Sequence, residues 1–97
     1  MNVVGKRGLR NLTARHPEAE TEALDWYRIA VSADWSCFAD VRATFPRADL
    51  IGEVLVFDLG NNRYRLITTV FFGAREIYVK ALLNHKEYDR EEWKKWC

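Results

Sequence analysis

Two cysteines in 97 residues, Cys37 and Cys97, fall in no Cys/His spacing. That removes the zinc-ribbon and disulfide-scaffold classes, which need paired ligands at set intervals, and it fits a reducing, cytoplasmic setting. No apolar run approaches the ~18 residues a bilayer-spanning helix needs, so no membrane partner is expected. The N-terminus, MNVVGKRGLR, has only two consecutive apolar residues after its asparagine and lacks a signal-peptide core. Glycine-rich phosphate loops, GxSxG, HExxH and paired-carboxylate motifs are all missing. Repeats, low-complexity stretches and domain linkers are missing too, and the net charge is only +1. A nucleic-acid binder held by bulk charge is thereby disfavoured.

What is present suits one domain over residues 1–97 with its own core, because 48% of the residues are hydrophobic and no metal or cofactor is required at this size. The charge is unevenly spread: +4 over residues 1–16, −4 over 17–35, −2 over 36–59 and +3 over 60–97. Residues 1–4 read as a short edge strand, and residues 6–15 as a helix with Leu9 and Leu12 inward. Pro17 ends that helix and starts the next, which runs to about residue 31. Ala19, Ala23, Trp26, Tyr27 and Ala30 form its apolar stripe. A short helix is expected within residues 33–45, stopped by Pro46, and residues 47–52 read as a loop.

The chain is organised around residues 53–89, where β-branched and aromatic residues form three strands joined by turns at Gly60/Asn61/Asn62 and Gly73/Ala74. A two-residue second turn pairs Phe72 with Arg75 and carries Ile67 opposite Lys80; a two-residue first turn pairs Leu59 with Asn62 and sets Asp58 opposite Arg63. Both registers put Leu55, Phe57, Leu59, Leu66, Val70, Ile77, Val79, Ala81 and Leu83 on one apolar face. Arg63, Arg65, Tyr78 and Lys80 share the other. The expected fold is α+β: an N-terminal strand and helices packed on one face of an antiparallel sheet, a short C-terminal helix, and the second sheet face open.

Two constellations on that face carry chemistry. Arg63 and Arg65, two apart on a strand, present forked donors suited to phosphate, although a cross-strand Asp58 would make Arg63 an ordinary surface pair. Lys80 interrupts IYVKALL and equally fits the outward position of an amphipathic strand. His85, Lys86, Tyr88 and Asp89 crowd the end of the last strand with a proton carrier, a cation and a stacking ring. The plain alternative is a capping box, with Asn84 as cap and Glu87 closing it. The four tryptophans read as core or partner surface.

The pieces WY (26, 27), W-S-x-x-A-D-V (35–41), FP (45, 46), VFDLGNNRYRL (56–66) and HKEYD (85–89) together resemble the HigB family of type II toxin–antitoxin systems. The likeness covers roughly residues 1–90, departing by an extra asparagine in the first turn and a Trp/Cys tail. It implies a RelE-like fold, a messenger-RNA-cleaving toxin acting on translating ribosomes, and a helix-turn-helix antitoxin of the HigA kind. Carried over by position, Asn62, Arg65, Lys80, His85 and Tyr88 become the site candidates, with Arg63 and Lys86 as further RNA contacts.

The resulting expectation is an endoribonuclease that needs no metal: the RNA 2′-hydroxyl attacks the adjacent phosphate, leaving a 2′,3′-cyclic phosphate. Arg65 binds the phosphate, His85 moves the proton with Lys80 assisting or replacing it, and Tyr88 stacks on the nucleotide. A non-catalytic RNA- or ribosome-binding module would keep the arginine face without depending on His85. A protein-interaction domain would instead depend on the tryptophan-bearing helices.

Overall fold

The computed structural model describes residues 1–60 and 63–97. Strand β1 (Asn2–Val4) leads through Gly5, held at φ +104°, into helix α1 (Lys6–Arg15). His16 and a single 3₁₀ turn (Pro17–Ala19) redirect the chain into α2 (Glu20–Ser32), whose Glu20 and Glu22 complement the helix dipole. Ala23, Trp26 and Ala30 form the buried stripe of α2, as the periodicity requires. The short helix expected within residues 33–45 is α3 (Phe38–Thr44), and residues 33–37 before it are extended or bent and bring Trp35 into the core.

Five strands make the sheet, in the order β1-β5-β4-β3-β2, with β2 (Asp49–Ile51), β3 (Val54–Leu59), β4 (Tyr64–Phe71) and β5 (Glu76–Asn84). Only β1 runs parallel to its neighbour. The sheet is therefore mixed, and residues 49–51, expected as loop, pair with β3 as an edge strand. After β5 come α4 (His85–Asp89) and a C-terminal 3₁₀ segment (Glu92–Trp96).

Helices α1 to α3 cover one sheet face. Leu9, Trp26, Trp35, Leu55, Phe57, Leu66, Ile77 and Leu82 fill that core, with the Trp26 and Phe57 rings edge to face at 5.3 Å. Leu55, Phe57, Leu59, Leu66, Val70 and Ile77 are buried as their alternation predicts.

The register departs from expectation in two places. Leu59 pairs with Tyr64, so four residues, not two, separate the β3 and β4 ends, and Asp58 faces Arg65 instead of Arg63. A shift of two preserves parity, which is why the face assignment on β3 survives. At the other hairpin the pairing near the turn is as expected, down to the Arg75 amide on the Phe72 carbonyl at 3.1 Å. A register shift then intervenes, and Ile67 faces Ala81, not Lys80, while Arg65 faces Leu83, not Leu82. Lys80 is the extra residue of this bulge.

Beyond the bulge the faces of β5 swap. Leu82 enters the helix-side core, and Ala81 and Leu83 turn to the second face. They do so because that face is not open. The C-terminal segment crosses it, and Trp93 is buried there against Val54, Val56 and Ile67, with Ile51, Tyr88 and Trp96 around it. The apolar residues that alternation would have pointed at helices are needed as the floor of this second, smaller core.

Candidate functional site

Arg65 leaves β4 on the second face beside the terminal segment. Its Nε lies 3.0 Å from Asp58 Oδ1 across the strand pair, and its Nη1 donates to the Tyr64 carbonyl at 3.3 Å. Only 13% of the Arg65 side chain and 18% of Asp58 remain exposed, so Arg65 is enclosed and oriented where an open face was expected. A guanidinium held this way presents its charge in one direction.

Tyr88 meets it from α4. That helix starts on a capping box, the Glu87 amide donating to Asn84 Oδ1 at 2.8 Å and the Asn84 amide to Glu87 Oε1 at 3.1 Å. One turn of helix then points Tyr88 back at the sheet, with the Arg65 guanidinium 5.4 Å from its ring centre. Trp93 stacks parallel on Tyr88, the rings 5.0 Å apart and 7° from coplanar, and its Nε1 donates to the Tyr88 carbonyl at 3.0 Å. Burial raises the Tyr88 pKa above the usual phenol range, with Arg65 pulling the other way. Tyr88 is therefore a neutral hydroxyl at physiological pH, and one face of its ring is already covered.

Glu87 anchors α4 to α1. His16 Nε2 lies 3.2 Å from Glu87 Oε1, Arg15 Nη2 lies 3.7 Å from Oε2, and the His16 ring packs on Tyr64 at 5.1 Å. The Asn84 amide, and then His16 and Arg15, hold the Glu87 carboxyl below its ordinary pKa despite the opposing effect of burial.

The remaining candidates are more dispersed. His85 is exposed at the first position of α4, and Lys86 is exposed beside it. Arg63 is exposed and donates through Nε to the Gly60 carbonyl at 3.0 Å. Asn62 lies outside the described residues. Lys80, at the bulge, is three residues along β5 from Leu83, the partner of Arg65, and its ammonium lies 5.7 Å over Tyr78. The fold thus brings Arg65 and Tyr88 together, leads the chain from Tyr88's helix back to His85 and Lys86, and sets Lys80 on another part of the face.

Four participants were missed from the sequence. Asp58 was assigned to Arg63 by a turn taken two residues too short. Trp93 gave no signal as a partner of Tyr88, since residues 90–97 read only as a terminal helix. His16 and Arg15 could have been noticed as cations beside the helix-breaking Pro17, but nothing in the spacing pointed to Glu87. Among the described residues, no group of three or more His, Cys, Asp or Glu is gathered as metal ligands would be.

Two grooves flank the terminal segment. One, on the β2 side, carries Asp49, Asp89 and Glu91 next to Tyr88 and Lys94. The other, on the α1 side, carries Arg15, Arg90 and Lys95, with Glu87 and Glu92, over a floor of Ala81 and Leu83. The charged side chains lining the first sum to a negative value and those lining the second to a positive one.

A mixed sheet backed by helices, with a short helix after its last strand, is consistent with a RelE-like fold. The model of the HigB toxin family, described as a RelE-like toxic component of a toxin–antitoxin system, matches residues 19–91, and the chain belongs to that family. It is 25% identical over 92 residues to the mRNA interferase toxin HigB of Escherichia coli (strain K12), covering 92% of this chain and 88% of the relative. A mRNA interferase HigB of Escherichia coli O6:H1 is 27% identical over 93 residues, covering 93% of this chain and 90% of the relative. An antitoxin is the counterpart that membership of such a system brings.

Proposed function

We propose that this chain, acting as a single toxin domain, is an endoribonuclease that cuts messenger RNA, on translating ribosomes in the cytoplasm, and so halts translation. The observation that carries the reading is the Arg65–Asp58–Tyr88 arrangement: a guanidinium fixed in direction, beside a phenol kept neutral, in a member of a toxin family whose relatives are named mRNA interferases. The reaction uses the RNA's own 2′-hydroxyl as nucleophile. That oxygen bonds to the adjacent phosphorus, the 5′-oxygen of the next nucleotide leaves, and the products are a 2′,3′-cyclic phosphate and a 5′-hydroxyl. The 2′-hydroxyl proton goes to a base and the leaving oxygen takes one from an acid.

Arg65 faces the scissile phosphate and offsets the charge that builds on its oxygens. Because the Tyr88 ring is engaged by Trp93, Tyr88 acts through its hydroxyl, donating to a phosphate oxygen or to the leaving group. His85 takes the 2′-proton, since its imidazole is exposed on the same short helix as Tyr88 and imidazole is the usual general base. Lys86, Arg63 and Asn62 contact flanking phosphates, and Lys80 serves RNA binding in place of proton transfer.

The test is cleavage mapping of messenger RNA in a cell-free translation reaction. Wild type should generate 2′,3′-cyclic phosphate ends, and Arg65→Lys, which keeps the charge opposite Asp58 but loses the fork, should be strongly impaired while still folding. Intact messenger RNA with folded wild type would refute the reading.

For the antitoxin, we propose a helix-turn-helix protein of the HigA kind that docks on the outer face of α2, away from Arg65. Trp26, Trp35 and Trp93 are buried and offer no anchors, but Ile29 and Val31 towards the end of α2 are each more than 40% exposed, and Glu20 at its start and Glu18 just before it are exposed too. Glu22 serves the toxin's own structure, accepting the Gly60 amide, so it is left out of the test. Loss of antitoxin binding by Glu18→Lys/Glu20→Lys, with Arg65→Lys binding normally, is the expected result.

A further inference from the structure

The second sheet face continues past the terminal segment, and its far half is uncovered. Val4, Tyr78 and Thr69 lie side by side across β1, β5 and β4, and Phe71 follows next on β4. Phe71 is 40% exposed and Val4, two strands across the sheet, 37%. Phe71 and Tyr78 meet edge to face, 5.7 Å between centres at 88°, so their relative orientation is set. The bulge then places the exposed Lys80 ammonium over Tyr78. An aromatic pair with a cation at its side is the equipment single-stranded nucleic acid requires: rings for bases and positive charge for phosphate.

We infer that Phe71, Tyr78 and Lys80 form a second RNA subsite, stacking a nucleotide base of the single strand whose cut lies at Arg65. The inference rests on the nuclease reading above and extends it. Phe71 and Arg65 are six residues apart on β4, about 20 Å at the strand rise. One nucleotide cannot span that distance but several can; because Trp93 covers Ile67 on β4 between them, the substrate is an extended strand that passes along β5, where a groove runs over Ala81 and Leu83 beside Arg15 and Arg90. Lys80 lies between the two ends on the neighbouring strand, where the phosphates of such a strand would pass. Glu76, paired with Phe71 at the hairpin end, keeps the RNA backbone on the Lys80 side. A protein partner would also value exposed aromatics, but the lysine and the basic groove over Ala81 and Leu83 farther along the same strand favour RNA.

The experiment uses 2′-O-methyl RNA, which binds without being cut, as an oligomer of about ten nucleotides, within the length single-stranded sites cover, and as a trinucleotide. Phe71→Ala and Tyr78→Ala should each weaken binding of the longer oligomer about 5- to 100-fold and leave the trinucleotide unaffected. Phe71→Trp should retain binding, and Lys80→Ala should lower the salt dependence by about one phosphate contact. Unchanged affinity in both alanine variants, shown folded by thermal melts, overturns the subsite. So does loss of antitoxin binding with RNA affinity intact, which would make the patch a protein interface. Wild type that binds through these residues yet leaves messenger RNA whole supports the subsite and refutes the nuclease. Cutting with unaltered binding in the variants refutes the subsite alone.

Discussion

The two halves of the second sheet face share β4 and β5 and differ in what lies over them. On one half Trp93 fills the space above Val54, Val56 and Ile67, and Arg65 and Tyr88 are held at its border. On the other, Val4 and Phe71 are exposed and the Lys80 ammonium lies over the half-buried Tyr78. Position is enforced on the first half by burial: a ring stacked on Tyr88 and a carboxylate across from Arg65 leave each side chain one arrangement. The second half has contact area without enforcement, which suits a surface that must accept more than one base. A site that stabilises a transition state needs the former, and a site that guides a strand is served by the latter.

Removing the cover should have the largest effect. Trp93→Ala empties the second core and takes away the ring beneath Tyr88, at a cost of about 3–5 kcal/mol, the usual range for a buried tryptophan. Phe71→Ala on the open half should stay within about 0.5 kcal/mol, as exposed positions do. Urea denaturation of both variants checks the contrast. Equal losses would mean that the two halves do not differ as described.

Next comes the charge at the border. Arg65→Lys is expected to reduce messenger RNA cleavage by about 30- to 1000-fold, equivalent to about 2–4 kcal/mol of transition-state stabilisation. Growth arrest on expression in bacteria should be relieved in step. Full toxicity of a folded Arg65→Lys protein would sink the role. Asp58→Asn should fall between wild type and Arg65→Lys in cleavage, because it loosens the guanidinium without removing it; wild-type activity in that variant would show that Asp58 does not orient the arginine.

The sequence disclosed the two halves unequally. Helices α1 and α2 and the three long strands were legible because their apolar periodicity is unbroken and their turns carry glycine and asparagine. Arg65 was placed on the right face, since parity at the β3–β4 hairpin tolerates an error of two residues, and so was Tyr78, which precedes the register shift on β5. Asp58 as the partner of Arg65 was not legible, because it depends on whether the β3–β4 connection spans two residues or four. Nor was the bulge at Lys80: IYVKALL alternates well either way, and what decides is Leu82 filling the helix-side core while Ala81 and Leu83 are claimed by Trp93. Strand β2 was hidden by its length of three residues, too short to show a period.

The smallest effect concerns the tie that holds α4, and with it Tyr88, against α1. Glu87 is both the far member of the capping box and the partner of His16 and Arg15, so its charge and its hydrogen bonding can be separated: Glu87→Gln keeps an acceptor for the Asn84 amide and loses only the charge. The folded state lowers the Glu87 pKa below the ordinary 4.5, so the ionised form is the one it favours. The stabilisation is therefore complete above that ordinary value and is lost as pH falls through the lower folded value. Melting temperatures measured from neutral pH downward should fall more steeply for wild type than for Glu87→Gln once the pH drops below the ordinary carboxylate range. Parallel curves would show that the carboxylate charge contributes nothing to holding α4. Because α4 carries Tyr88 to Arg65, Glu87→Gln should also cost some cleavage at neutral pH, where wild type is ionised. That cost should remain well below the Arg65→Lys loss, since the cap and the Trp93 stack still hold Tyr88 in place.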